Sequence, residues 1–200
     1  MNKQKLNIIL DGSIVAIANT QKYNDTLKNQ VNWTWQQLNN FILDTNKDNL
    51  IVFYTAWENE YTFEFLLNEQ TDKIYFRKFE QSIEVTERNL YLVNWTDLTS
   101  SLQFKDTKLP DELNKDLKID IENGFYKVVI KQLFDPEDYE YDPENKINFI
   151  VEFFIQSENP NLHADKIMWT EDFPNDETVF LSDERDEFDD LLDKMTNESK

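Results

Sequence analysis

The feature that most constrains the fold is a succession of short segments rich in β-branched and aromatic residues. From residue 50 onward these segments read LIVFYTA, YTFEFLL, KIYFRKF, SIEVTE and NLYLVNW, and KINFIVEFFIQ and DKIMW follow later. Such composition favours strands, and many short strands with little helix are typical of a β-sandwich. The sequence therefore predicts a mostly β fold, a β-sandwich. In YTFEF the two phenylalanines share one face of the predicted strand, as a half-buried sheet requires.

One short helix is predicted near residues 34–43. Thr34-Trp35-Gln36-Gln37 has the form of a capping box, in which the Thr and Gln side chains bond the first free N–H groups of a helix. Apolar residues then recur at helical spacing, namely Trp35, Leu38, Phe41 and Ile42.

The chain contains only two glycines, and each follows a residue that favours a tight turn. Asp11-Gly12 separates LNIIL from SIVAIAN, and Asn123-Gly124 separates LKIDIE from FYKVVIKQLF. These dipeptides favour two-residue hairpin turns with positive φ, so the sequence predicts a β-hairpin at each. Two isolated glycines also exclude phosphate-binding and dinucleotide-binding loops, which need several.

Negative charge is concentrated in two stretches of the chain. The formal net charge is −20, from 40 acidic and 20 basic residues. Residues 135–144, DPEDYEYDPE, hold six acidic residues and no basic one, and residues 171–200 hold 12 acidic and 3 basic residues. Together these stretches contribute 15 of the 20 excess negative charges, so the rest of the chain is only mildly acidic.

The charge distribution divides the chain into a β-sandwich domain, residues 1–170, and an acidic C-terminal tail, residues 171–200, that is partly helical. In the tail Ser182 can cap a helix. An apolar stripe at helical spacing follows it, made of Phe188, Leu191, Leu192 and Met195.

A search for catalytic groups finds few. His163 is the only histidine and cysteine is absent, so zinc sites built from His and Cys are excluded, and no serine has a nucleophile-elbow context. Residues 135–144 also lack the spacing and central glycine of an EF-hand loop. We therefore predict no enzyme, no metal site and no cofactor. A carbohydrate-binding or carbohydrate-active β-sandwich protein is the alternative, because a catalytic carboxylate pair leaves no sequence signature.

The acidic stretch at 135–144 is the candidate binding site. It joins two predicted strands, and ten residues is long for a hairpin loop, which indicates a functional loop or else a mobile one. If the loop is extended, the rings of Tyr139 and Tyr141 lie on one side, where they could anchor a partner. The predicted partner-binding residues are Asp135, Glu137, Asp138, Tyr139, Glu140, Tyr141, Asp142 and Glu144.

The charge also indicates what kind of partner to expect. A surface this negative repels phosphate, so nucleic acid is a poor ligand, whereas a basic protein is attracted. The apolar run in MNKQKLNIIL is too short for a signal-peptide core or a membrane span. With cysteine absent as well, we expect a cytoplasmic protein that contacts neither membrane nor nucleic acid.

Four groups of residues resemble the competence protein J family. They are Asn32-Trp33-Thr34, the run KIYFRKFEQSIEVTERNLYLVNWTDL, the run IDIENGFYKVVI, and Leu162-His163-Ala164-Asp165. The similarity spans roughly residues 5–170 in order of elements. The acidic loop, the acidic tail and Asn32, where an acidic residue is expected, depart from the family pattern.

The resemblance implies inhibition rather than catalysis. Members of that family inhibit a secreted or DNA-entry nuclease, and related domains are immunity proteins beside bacterial polymorphic toxins. The expected function is therefore an immunity-type inhibitor whose acidic surface neutralises a basic bacterial toxin, with a nuclease as the leading candidate.

Overall fold

The computed structural model describes residues 3–10, 12–26, 48–104, 106–138, 140–144, 146–164 and 166–170. These residues are mostly β, with two short helices, α1 (Thr20–Thr26) and α2 (Trp95–Gln103). The strands are β1 (Lys3–Ile9), β2 (Ile14–Ala18), β3 (Leu50–Tyr54), β4 (Glu60–Leu67), β5 (Arg77–Val85), β6 (Asn89–Asn94), β7 (Lys118–Asp120), β8 (Gly124–Gln132) and β9 (Ile147–Gln156).

The strands form two sheets, which confirms the predicted β-sandwich arrangement. One sheet has five strands in the order β1-β4-β9-β8-β5, and the other has four in the order β3-β2-β6-β7. Neighbouring strands are antiparallel except for β4 and β9, which run parallel. The β8–β9 pair is the predicted hairpin around the acidic loop, with Gln132 opposite Phe149 at its loop end.

Both hairpins predicted at the glycine turns are wrong. β1 and β2 flank Gly12 but belong to different sheets, as do β7 and β8 on either side of Gly124. Each turn therefore carries the chain from one sheet to the other. Gly124 has the expected positive φ, 153°, whereas Gly12 does not. A tight-turn dipeptide specifies a change of direction but not whether the next strand stays in the same sheet.

Aromatic rings from both sheets fill the interior between them. The ring of Phe149 on β9 stacks on Phe63 of β4 at 4.7 Å between centroids and meets Phe53 of β3 edge-on at 5.8 Å. Trp169 closes this group, with its ring 4.8 Å from that of Phe79 on β5. The inward-facing phenylalanines predicted from the YTFEF alternation are thus buried together, and apolar burial of this kind is the main favourable term in folding.

A second apolar layer covers the outer face of the four-stranded sheet. Every residue of β2 is buried. Val15 and Ile17 face the interior between the two sheets. Ile14, Ala16 and Ala18 face the opposite way and belong to the second apolar layer, together with residues of both helices. Tyr23 of α1 lies in this layer and donates its hydroxyl hydrogen to the carbonyl of Leu98 in α2 at 3.2 Å. Asn94 caps α2 by accepting the Asp97 N–H at 2.8 Å.

Side chains and short segments close the edges of the sheets. The Gln4 amide on β1 donates to the carbonyl of Lys118 at 2.6 Å and accepts from the N–H of Asp120 at 3.2 Å, which joins β1 to β7 across the two sheets. At another edge, the described residues 166–169 of the predicted strand DKIMW form no strand, and Met168 pairs with Phe53 of β3 through an isolated bridge. The predicted strand KIYFRKF begins only at Arg77.

Residues 68–76, which we call the strap, cross the outer face of the five-stranded sheet from β4 to β5. Beneath the strap lies a buried ion pair, with the Lys131 ammonium 2.6 Å from a Glu152 carboxylate oxygen. Thr71 of the strap donates its N–H to Glu152 at 2.8 Å and accepts from Lys131 at 3.1 Å. The pair therefore holds the strap on the sheet.

The predicted helix at 34–43 and the predicted acidic helix of the tail lie outside the described residues. Sequence reasoning missed α1 and α2. Among the described residues, no helix is long and apolar enough to cross a membrane.

The buried ion pair leads to a stability prediction. Lys131→Met leaves Glu152 as an uncompensated buried charge, so we expect the free energy of unfolding to fall by about 3–5 kcal/mol. The double variant Lys131→Met/Glu152→Leu removes both charges and should recover part of that loss. Urea unfolding followed by fluorescence measures both. The single variant Glu152→Leu completes the comparison: a double variant whose loss equals the sum of the losses of Lys131→Met and Glu152→Leu would show that the charges do not interact.

Candidate functional site: the acidic loop

The acidic loop, residues 135–144, joins β8 to β9 at one end of the five-stranded sheet. It begins directly after the buried ring of Phe134 and is followed by the first residues of β9. All its described acidic residues are exposed, whereas Pro136 and Pro143 are buried. The loop therefore packs its apolar residues inward and presents its carboxylates to solvent.

Three aspartates shape the loop by accepting hydrogen bonds from their own backbone. Asp135 accepts the N–H of Glu137 at 2.9 Å, Asp138 that of Glu140 at 3.1 Å, and Asp142 that of Glu144 at 3.0 Å. Each is an Asx turn, in which a short acidic side chain replaces a backbone acceptor two residues before the donor. The loop is consequently a series of turns rather than the extended segment that the tyrosine alternation suggested.

Tyr141 attaches the loop to the interior of the sandwich. Its ring stacks on Phe134 at 4.6 Å between centroids, and Phe134 in turn stacks on Tyr61 at 5.9 Å. Burial raises the pKa of the Tyr141 hydroxyl above its ordinary value, with a further increase from the nearby negative charge of Asp142. The Lys146 ammonium lies 4.6 Å from the centre of the ring. Tyr141 is thus half-buried and serves as a loop anchor, not as a ring displayed to solvent.

Asn148 fixes the other side of the loop. It is the extra residue at a bulge where β9 pairs with β4, since Thr62 lies opposite Ile147 and Phe63 opposite Phe149. Its amide nitrogen donates to the Tyr141 hydroxyl at 3.0 Å and to the Pro143 carbonyl at 3.1 Å, and its oxygen accepts the Thr62 N–H at 2.6 Å. Both N–H groups and the oxygen of this buried side-chain amide are therefore hydrogen-bonded.

The loop carboxylates differ from many others of the described residues in having no cation paired with them. Elsewhere many carboxylates are paired with a cation, as in Lys3–Glu64, Lys22–Glu84, Lys127–Glu80, Arg88–Glu122, Lys118–Asp120 and Lys131–Glu152. Within the described part of the chain, no salt bridge reaches any of the six loop carboxylates. Their charge is therefore available to an approaching partner.

Two more exposed glutamates lie at the same end of the sandwich. Glu58 and Glu60 are in and just after the β3–β4 connection, next to Trp57. The ring of Trp57 is 5.6 Å from that of Phe134, so this connection and the acidic loop are neighbours. We call this surface, made of Glu58, Glu60 and the acidic loop, the acidic end.

Sequence reasoning located the acidic loop but not its shape. The six predicted carboxylates come together on one loop, whereas Tyr139 and the acidic tail lie outside the described residues. The contributions of Glu58, Glu60 and Asn148 were missed. The Asp-x-Glu spacing that recurs three times in 135–144 was the available signal, because an aspartate two residues before a turn donor favours an Asx turn.

The described tryptophans do not form an exposed platform for sugar. Trp169 is buried, and Trp57 and Trp95 are half-buried. Trp57 packs against the interior and Trp95 against the layer of the helices. The rings of these three tryptophans therefore contribute to packing, which is a common role of large aromatic side chains.

Comparison with known proteins gives likenesses at low identity. No family model and no curated protein sequence matches the chain. A solved structure of ComJ from Bacillus subtilis, described as an inhibitor of the DNA degrading activity of NucA, is 14% identical with a TM-score of 0.44, covering 76% of this chain and 96% of that one. A structure described as crocagin biosynthetic gene J is 12% identical with a TM-score of 0.47, covering 78% and 99%.

The hydrogen bonds of Asn148 generate a prediction about the loop. Asn148→Leu leaves the Thr62 N–H and the Pro143 carbonyl without this partner, so we expect a loss of about 2–4 kcal/mol in unfolding free energy. Amide hydrogen exchange in residues 135–144 should become faster. Asn7→Leu, the same change on the exposed edge strand, should alter stability by no more than about 0.5 kcal/mol. Equal effects of both substitutions would contradict the anchoring role.

Proposed function

We propose that the protein is an immunity-type inhibitor that binds a basic bacterial toxin through its acidic end, with a nuclease as the first candidate. The observation that supports this proposal most is the acidic loop itself. Six carboxylates without salt bridges to described residues stand on a loop held by three Asx turns and by Asn148. Carboxylates kept in a fixed arrangement attract a cationic surface strongly, because little further ordering is needed on binding.

A nuclease suits such a surface on chemical grounds. An enzyme that cleaves nucleic acid must be basic where it holds phosphate groups, and a rigid acidic surface can compete for the same cationic side chains. Covering that channel blocks substrate entry without any reaction by the inhibitor. In this proposal the protein acts in the cytoplasm and needs neither metal nor cofactor.

The proposal is tested with one purified protein, the product of the gene immediately upstream of the one that encodes this chain. Binding is followed by surface plasmon resonance at low and high salt, and inhibition by cleavage of plasmid DNA. Glu137→Gln/Glu140→Gln/Glu144→Gln removes three loop charges but leaves the three aspartate acceptors in place. We expect association at low salt to slow by about tenfold, because attraction between opposite charges raises encounter rates.

The control variant removes the same charge from the opposite end of the sandwich. Glu87, Glu122 and Glu158 are exposed and lie beyond the ends of β5, β7 and β9 that are remote from the acidic loop. Their replacement by Gln should change association by less than about twofold if location matters more than net charge. Failure of the unsubstituted protein to bind at low salt, or to slow DNA cleavage, would overturn the proposed function.

A further inference from the structure

The strap presents three consecutive apolar side chains to solvent. Ile74 is 92% exposed, Tyr75 39% and Phe76 49%. Single exposed apolar residues are ordinary, but a contiguous apolar surface on a compact protein often marks a contact with another molecule. These residues belong to the segment KIYFRKF, for which a strand was predicted, but the strand begins only at Arg77.

The strap is held in place at several points, so this exposure belongs to a fixed segment. Thr71 is bonded to both members of the Lys131–Glu152 pair, and Lys73 lies 3.6 Å from the buried carboxylate of Glu64. The Tyr75 ring lies near two ammonium groups, with its centroid 5.5 Å from that of Lys131 and 5.7 Å from that of Lys78. Side chains on a fixed backbone lose less entropy when a partner covers them.

The strap ends beside the acidic loop. The N–H of Phe76 donates to the carbonyl of Gln132 at 2.8 Å, and Gln132 is the last residue of β8. The acidic loop begins three residues after Gln132, at Asp135. Even along a fully extended backbone, Gln132 and Asp135 are therefore at most about 11 Å apart. The exposed apolar residues and the loop carboxylates thus border the same end of the five-stranded sheet.

Charge decides which molecule could cover this surface. Lys73 and Lys131 of the strap region are paired with Glu64 and Glu152. The exposed carboxylates of Glu69 and Asp72 on the strap, like those of the loop, have no salt bridge to a described residue. A second copy of this chain docking on the strap would bring two acidic loops together, and their repulsion opposes that contact. A cationic protein with an apolar hollow is favoured by both parts of the surface.

We infer that Ile74 and Phe76 are the apolar anchors that the basic partner buries, next to the carboxylates that attract it. This inference rests on the proposed function and adds a division of roles to it. Buried apolar and aromatic side chains at the centre of an interface govern how slowly a complex dissociates, whereas exposed charges at the rim govern how fast it forms. The strap therefore determines the lifetime of the complex and the acidic loop its rate of formation.

The test uses the same upstream protein and the variant Ile74→Ser/Phe76→Ser. We expect its dissociation to be at least about tenfold faster and its association rate to stay within about twofold of the unsubstituted value. Ile155→Ser is the matched control, because Ile155 is 51% exposed on β9 at the end of the same sheet that is remote from the loop. It should leave both rates unchanged. Ile74→Ser alone, at a position with almost no packing, repeats the test if the double variant is less stable.

The outcomes separate this inference from the proposed function. If the unsubstituted protein binds and the strap variants dissociate at the same rate, the anchor assignment is overturned while the inhibitor proposal stands. If the unsubstituted protein does not bind at all, both are overturned. Sedimentation of the protein alone at high salt tests whether a second copy of this chain covers the strap instead. A dimer that Ile74→Ser abolishes would assign this surface to the second copy and overturn the inference.

Discussion

The packing of aromatic rings around Phe149 is the interaction on which the rest of the structure depends. This one ring contacts Phe53 from the opposite sheet, Phe63 from the neighbouring strand and Phe134, which immediately precedes the acidic loop. The interior of the sandwich and the base of the loop are therefore one continuous apolar unit. Tyr141 packs against the same unit, so the loop that carries the carboxylates is attached directly to the apolar core.

The structure also shows how a strongly acidic chain can fold and still keep exposed carboxylates that are not paired with a cation. Along the five-stranded sheet, glutamates such as Glu64 and Glu152 are neutralised by lysines on neighbouring strands or on the strap. At the acidic loop the aspartates instead satisfy backbone N–H groups, which orders the chain without removing negative charge. Ion pairs thus compensate the buried charges of the sheet, whereas Asx turns order the loop.

Strand positions were predictable because β-branched and aromatic segments such as LIVFYTA must bury at least one face. The sheet to which each strand belongs was not predictable, since Gly12 and Gly124 specify tight turns but not the sheet in which the next strand lies. Helix α2 was missed because NLYLVNW reads as a continuous strand, and the Asn94 cap that begins the helix falls inside that segment. The position of the candidate site was predictable from the acidic residues concentrated at 135–144. The burial of Tyr141 was not, because it depends on contacts with Phe134 and Asn148 that no local sequence pattern encodes.

The Gln4 amide has a consequence for how this protein behaves among its own copies. By bonding the Lys118 carbonyl and the Asp120 N–H, it occupies backbone groups on the edge of β7 that a foreign strand would need for pairing. Unprotected edges of this kind are where β proteins stick to one another and begin to form aggregates. One side chain that bridges two sheets therefore also keeps this edge from pairing with a strand of another copy.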